Sequence, residues 1–127
     1  MRRLLLFPFL IAQVTCAIAA CPAPSDLEAA EKLIGQAPSC ATAATLARDC
    51  AIGASGDVGL VAAAEQVCQA TFLSRLDRKA LREFQAKRQA CHRKYRNESG
   101  TMYRSFEAFC ELRVSERFAK TDTARKR

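Results

Sequence analysis

The chain has 127 residues, 50% apolar and 26% charged, with five glycines and four prolines. That composition excludes collagen-like and intrinsically disordered material. Taking away the first 20 residues, which read as an export signal, leaves 107: enough for one domain with a buried core and too few for two.

In the signal, Arg2 and Arg3 precede the apolar run Leu4 to Ala12, and Ala17-Ile18-Ala19-Ala20 closes it before Cys21. Charged, apolar and small-residue regions in that order are the marks of a removable export segment. Pro8 and Gln13 interrupt the run, which is short for a membrane span, and no later hydrophobic segment accompanies it. The mature chain is therefore expected to be secreted or periplasmic. Ile18-Ala19-Ala20-Cys21 also fits a bacterial lipobox, so lipidation of Cys21 and anchoring to the envelope stand as the alternative processing route.

The mature chain, residues 21–127, reads as a single helical, cysteine-rich domain. Ser25-Asp26-Leu27-Glu28 has the spacing of a capping box. The helix it opens has an apolar stripe of Leu27, Ala30, Leu33, Ile34 and Ala37, and Gly35 to Pro38 stop it. Ser39 is placed to cap a second helix from Cys40 to Ile52, with Cys40, Ala43, Ala44, Leu46, Ala47 and Cys50 on one face and Gly53 as its end. In the turn cluster that follows, Ser55 or Asp57 can cap a third helix striped by Val58, Val61, Ala62, Glu65, Cys68 and Phe72. Ser74 to Asp77 restart the chain before a helix carrying Leu81, Phe84, Cys91 and Tyr95. Asn97 to Gly100 break the pattern, and Thr101 is expected to cap a last helix with Met102, Phe106, Phe109, Cys110, Val114 and Phe118. With no strand pattern in competition, the fold expected is all-α: a small disulfide-stapled bundle of four or five helices.

Six cysteines remain after the signal is removed. An even set in an exported chain of this size implies three bridges. Zinc is a poor alternative, because no Cys-x-x-Cys pair exists and His92 is the only histidine. Antiparallel neighbours bring together residues equidistant from their loop. That geometry pairs Cys91 with Cys110 around Ser99 and Cys40 with Cys68 around Ala54, leaving Cys21 for Cys50. The front of the chain, residues 21–71, has no aromatic side chain, whereas Phe72, Phe84, Tyr95, Tyr103, Phe106, Phe109 and Phe118 follow. Sulfur cross-links are expected to hold an alanine-rich front half on an aromatic rear half.

Charge divides in the same way. Residues 21–72 carry two basic and six acidic groups, a net of −4, and residues 73–127 carry sixteen and seven, a net of +9. The density peaks between Arg75 and Arg96, where Arg75, Arg78, Arg82 and Arg93 are candidate contacts for an anionic partner such as an envelope polymer, lipid head groups or an acidic protein. A solvated outer helix face explains the same residues, and Glu83 four before Lys87 fits it. Nucleic acid is not expected in an exported chain with no aromatic platform.

Catalysis finds no foothold. Cys91 and His92 are adjacent, so on a helix they face different ways. Asp57 and Glu65 read as a cap and an interfacial glutamate rather than an acid–base pair, and one histidine with no nucleophile elbow builds no triad. Neither an enzyme nor a cofactor is expected. Asn97-Glu98-Ser99 is formally a glycosylation sequon, relevant only to a eukaryotic source.

The stretch Leu81 to Arg117, through Phe84, Lys87, Cys91, Gly100, Cys110 and Arg117, resembles the LprI-type family of small secreted lysozyme inhibitors. Cys40, Ala43, Ala44, Thr45 and Cys50 resemble its front motif. The chain departs from that family in lacking a tryptophan, in having lysine at position 87 where arginine is usual, and in shorter Cys40–Cys50 and Cys110–Arg117 spacings. The resemblance implies a helical, disulfide-bonded envelope protein whose partner is lysozyme or another cell-wall hydrolase. Animal lysozymes are typically basic, so the +9 rear half would repel them and only the acidic front could approach.

Overall fold

The computed structural model describes residues 20–126; the stretch expected to be an export signal lies, up to residue 19, outside them. The described residues form five α-helices: α1 (Leu27–Gly35), α2 (Cys40–Asp49), α3 (Asp57–Ala70), α4 (Arg78–Tyr95) and α5 (Thr101–Arg125), with a 3₁₀ turn at Leu73–Arg75 between α3 and α4. α3 is the central helix, packed on α1, α2 and α5, and α4 lies along α5. Contacts rise together between α3 and α5, from Asp57 with Ser105 to Glu65 with Ser115. These two helices therefore run parallel. α4 is antiparallel to α5, since Phe84 meets Phe118 while Cys91 meets Cys110. Hence α1, α3 and α5 all begin at one end of the bundle, here the Cys21 end.

The three bridges are Cys21–Cys50, Cys40–Cys68 and Cys91–Cys110, with Cα separations of 4.6, 4.3 and 5.7 Å. Loop symmetry selects the last two, and Cys21–Cys50 is the pair that remains. Two core clusters meet across them. The first is alanine-rich, built from Ala30, Ile34, Ala43, Ala44, Ala47, Leu60, Val61 and Ala64 with Leu112 of α5. The second is Phe72, Phe84 and Val114 with Phe118 packed against it, and its three rings have centroids 5.1–5.7 Å apart. Cys40 touches both, so the Cys40–Cys68 bridge sits where the sparse front core joins the aromatic rear core.

Several local expectations are corrected. Asp26, not Ser25, caps α1, because Asp26 is the extended residue just before the first helical turn and its carboxylate accepts the Ala29 N–H at 3.0 Å. Ser39 does cap α2, accepting the Thr42 N–H at 3.1 Å. That helix stops at Asp49 instead of running to Ile52, because the Ile52 and Gly53 amides turn away to the Asp57 carboxylate and Gly53 takes φ +75°. Gly56 precedes α3 without a side-chain cap, so neither Ser55 nor Asp57 caps it. Thr101 is the first helical residue of α5 and not its cap; Gly100 precedes it at φ +114°, a conformation that a β-branched residue resists.

The apolar stripes also shift. Leu27, Leu33, Val58, Met102 and Phe106 are exposed, while Leu60, Ala64, Ser105, Leu112, Ser115 and Ala119 are buried. α3 is enclosed on three sides, so its buried face is wider than one stripe. On α5 the side turned to α3 must be small, and its residues 105, 112, 115 and 119 recur at the helical period.

Candidate functional site

On α4 the core side is fixed by Phe84 and Cys91, both buried. At 100° per residue, Arg78, Arg82, Arg93 and Arg96 fall on the opposite side within a strip about 60° wide and about 27 Å long. All four are exposed. No acidic side chain among the described residues forms an ion pair with any of them, and the one acid inside α4, Glu83, sits 3.6 Å from Lys87. Of the four sequence candidates, Arg78, Arg82 and Arg93 thus share one face. Arg75 does not join them: it lies in the 3₁₀ turn, and its Nε donates to Asp122 of α5 at 3.1 Å. Hydrogen bonds from Arg75 hold the Asp122 carboxyl below the usual carboxylate range, and Asp122 in turn raises Arg75.

Arg88 leaves the basic run altogether. It is four residues from Phe84, so helical phase turns it inward. There its guanidinium lies 5.7 Å from the Phe84 ring centroid, donates to Glu65 at 3.1 Å and also bonds Glu111. Ser115 donates to the other Glu65 oxygen at 2.9 Å. Glu65, Arg88 and Glu111 line a groove of about 250 Å³ with Val58, Arg104 and Glu107, and His92 Nδ1 meets Glu107 at 2.7 Å. Each of its three carboxylates is engaged, so the groove holds a polar network joining α3, α4 and α5. Among the described residues no group of three His, Cys, Asp or Glu side chains is placed to hold a metal.

Burial raises Glu65 above its ordinary 4.5, outweighing the opposing pull of Arg88 and Ser115. A carboxyl whose folded pKa is raised holds its proton longer in the folded than in the unfolded state. Its contribution is therefore most favourable below pH 4.5 and falls as pH rises through the window up to the folded value. Glu65→Gln should remove that slope while Arg88 keeps Glu111. Thermal melts of both proteins from pH 4 to 7 should show the variant gaining on the parent as pH rises; a constant difference would contradict this.

The buried acids change how the charge division reads. Asp57 is fully buried, and its carboxylate accepts the Ile52 N–H at 2.8 Å, the Gly53 N–H at 2.9 Å and the Ser105 hydroxyl at 2.6 Å. With Asp57 and Glu65 spent inside, the front half has Asp26 and Glu28 exposed and Glu31 and Asp49 half-buried, Glu31 lying against Gly59. Neither serine could be singled out from sequence as a partner for these acids, although Ser105 and Ser115 share the helical phase of Leu112 and Ala119.

The residues that carry the family resemblance are mostly scaffold. Phe84 and Cys91 are core, Cys110 is bridged and Gly100 turns the chain; Lys87 and Arg117 are the exposed ones. No protein-family model matches the chain, and neither a curated protein nor a solved structure matches it.

Proposed function

We propose that this chain acts outside the cytoplasm as a small disulfide-stapled binding module, and that the outer face of α4 engages anionic envelope material. The observation that carries this reading is the strip of four arginines without a bonded acid among the described residues. Because Cys21 spends its sulfur on Cys50, the form proposed is the cleaved one, not the acylated one. Surface cations contribute about 1 kcal/mol each near an anionic surface at low salt. The triple variant Arg78→Gln, Arg82→Gln, Arg93→Gln should therefore bind an immobilised polyanion about a hundredfold more weakly at low ionic strength, with an unchanged melting temperature. Unchanged retention would overturn the reading.

A second reading follows the LprI-type resemblance: inhibition of a lysozyme or another cell-wall hydrolase. For a basic lysozyme the favourable approach is to Asp26, Glu28, Glu31 and Asp49. Slowed wall lysis that Glu28→Lys and Glu31→Lys relieve would support it, and no slowing with any lysozyme class would retire it.

A further inference from the structure

Large apolar side chains left in water are not spread evenly over this molecule. Among the described residues seven are exposed: Leu27, Leu33, Ile52, Val58, Leu73, Met102 and Phe106. Five of them, all but Leu33 and Leu73, lie at the Cys21 end. The hydrogen bonds fix this placement, because Asp57 at the start of α3 holds both the Ile52 amide and Ser105 of α5. A Cβ built on Gly56 would lie 2.9 Å from Leu27 and 3.6 Å from Ile52, which puts those two side chains together. Ile52 is 60% exposed, Met102 46% and Phe106 43%. An isolated exposed leucine needs no explanation, but a cluster gathered from four segments at one end marks a contact surface.

The chemistry around that end indicates the partner. At the tip of the α4–α5 hairpin, Tyr95, Tyr103 and Phe106 form a ring cluster with centroids 6.0–6.5 Å apart. Lys94 lies 5.1 Å from the Tyr95 ring centroid. From Arg93 to Phe106 the chain holds Arg93, Lys94, Arg96 and Arg104 against Glu98 alone. Apart from Glu98, the acids of this end belong to α1 and α2, where Asp26 and Glu28 flank Leu27 and Asp49 ends α2. Amphipathic rings and apolar side chains rimmed by cations are what an anionic bilayer surface takes up, with rings at head-group depth and cations on phosphate.

We infer that the Cys21 end of the bundle is a docking surface for an anionic lipid bilayer, led by the aromatic, cationic tip of the α4–α5 hairpin with Met102, Phe106 and Ile52 entering the interface. This surface shares Arg93 and Arg96 with the α4 strip but does not rest on Arg78 or Arg82. The test is flotation of the chain from Cys21 onward, which carries all five helices and all three bridges. The vesicles are phosphatidylcholine with and without roughly a quarter phosphatidylglycerol. Binding is expected to the anionic vesicles, with Phe106→Glu and Ile52→Glu each lowering the partition coefficient at least about tenfold. Leu33→Glu and Leu73→Glu, at exposed apolar positions outside the cluster, should leave it unchanged. No binding, or equal losses from all four variants, would overturn the inference. So would a dimer without lipid that Phe106→Glu dissolves, since the patch would then be an interface between copies. Binding lost in the Arg78→Gln, Arg82→Gln pair but untouched by Phe106→Glu would overturn the docking end while leaving the α4 reading in place.

Discussion

Asp57→Ala is expected to destabilise the protein by about 3–5 kcal/mol, the range for breaking a buried charged hydrogen-bond set by removing one partner. The carboxylate accepts from two backbone amides of the α2–α3 loop and from Ser105, 48 residues away. No other side chain among the described residues bonds those amides. Alanine would leave the three donors together around an emptied site, loosening the loop and the start of α5 at once. At about 4–8 °C per kcal/mol for a domain of this size, the melting temperature should drop by at least about 12 °C. Ser105→Ala removes one donor along with its need and should cost only about 1 kcal/mol. The double variant should cost less than the two single changes added together, because both act on one hydrogen-bond set. A fall of only a few degrees for Asp57→Ala would mean that the loop satisfies its amides elsewhere.

The second large effect comes from the sulfur. Closing loops with sequence separations of 29, 28 and 19 is worth about 3 kcal/mol or somewhat more each in the chain-entropy picture. That is comparable in sum with the whole net stability of a small domain. The front core explains the dependence: Ala30, Ala43, Ala44, Ala47 and Ala64 bury little apolar area each. Cys40→Ser with Cys68→Ser should cost about 3 kcal/mol, seen as a fall of about 12–24 °C in melting temperature. Hydrogen exchange should show α1 and α2 losing protection before the aromatic rear, where Phe72, Phe84 and Phe118 also pack on one another. Equal loss of protection throughout would show that the two cores are not separable.

The all-α class and the sulfur pairing could be read in the sequence for a common reason: both depend on local features. Helical periodicity and short loops fix neighbours, and neighbours fix which cysteines meet. The N-cap at Ser39 was legible because a good cap stands directly before a periodic run. At Ser25 and Asp26 two good caps stand side by side, and sequence could not choose the later one. What could not be read was long-range. Asp57 looks like a local cap, yet one of its partners is Ser105. Arg88 looks like one cation in a basic run, yet its partners come from α3 and α5.

On α5, size is a poor guide to burial. Where α5 runs parallel to α3 and faces its carboxylates, Ser105 and Ser115 serve better than Met102 or Phe106. Size also hides the exposed end of the bundle. Its apolar residues look like core in sequence and become a surface only once α3 and α5 are seen to turn smaller residues toward each other. The strip on α4 was partly legible: Arg78, Arg82 and Arg93 share one face, while Arg75 is tied to Asp122 by a contact 47 residues away in sequence.

The most direct measurement is the intact mass of the naturally processed chain, taken after thiol labelling with and without prior reduction. The account requires a polypeptide starting at an unacylated Cys21 that takes up no label as isolated and six labels once reduced. A chain that labels fully without reduction, or one whose first cysteine carries lipid and leaves Cys50 free to react, would contradict it.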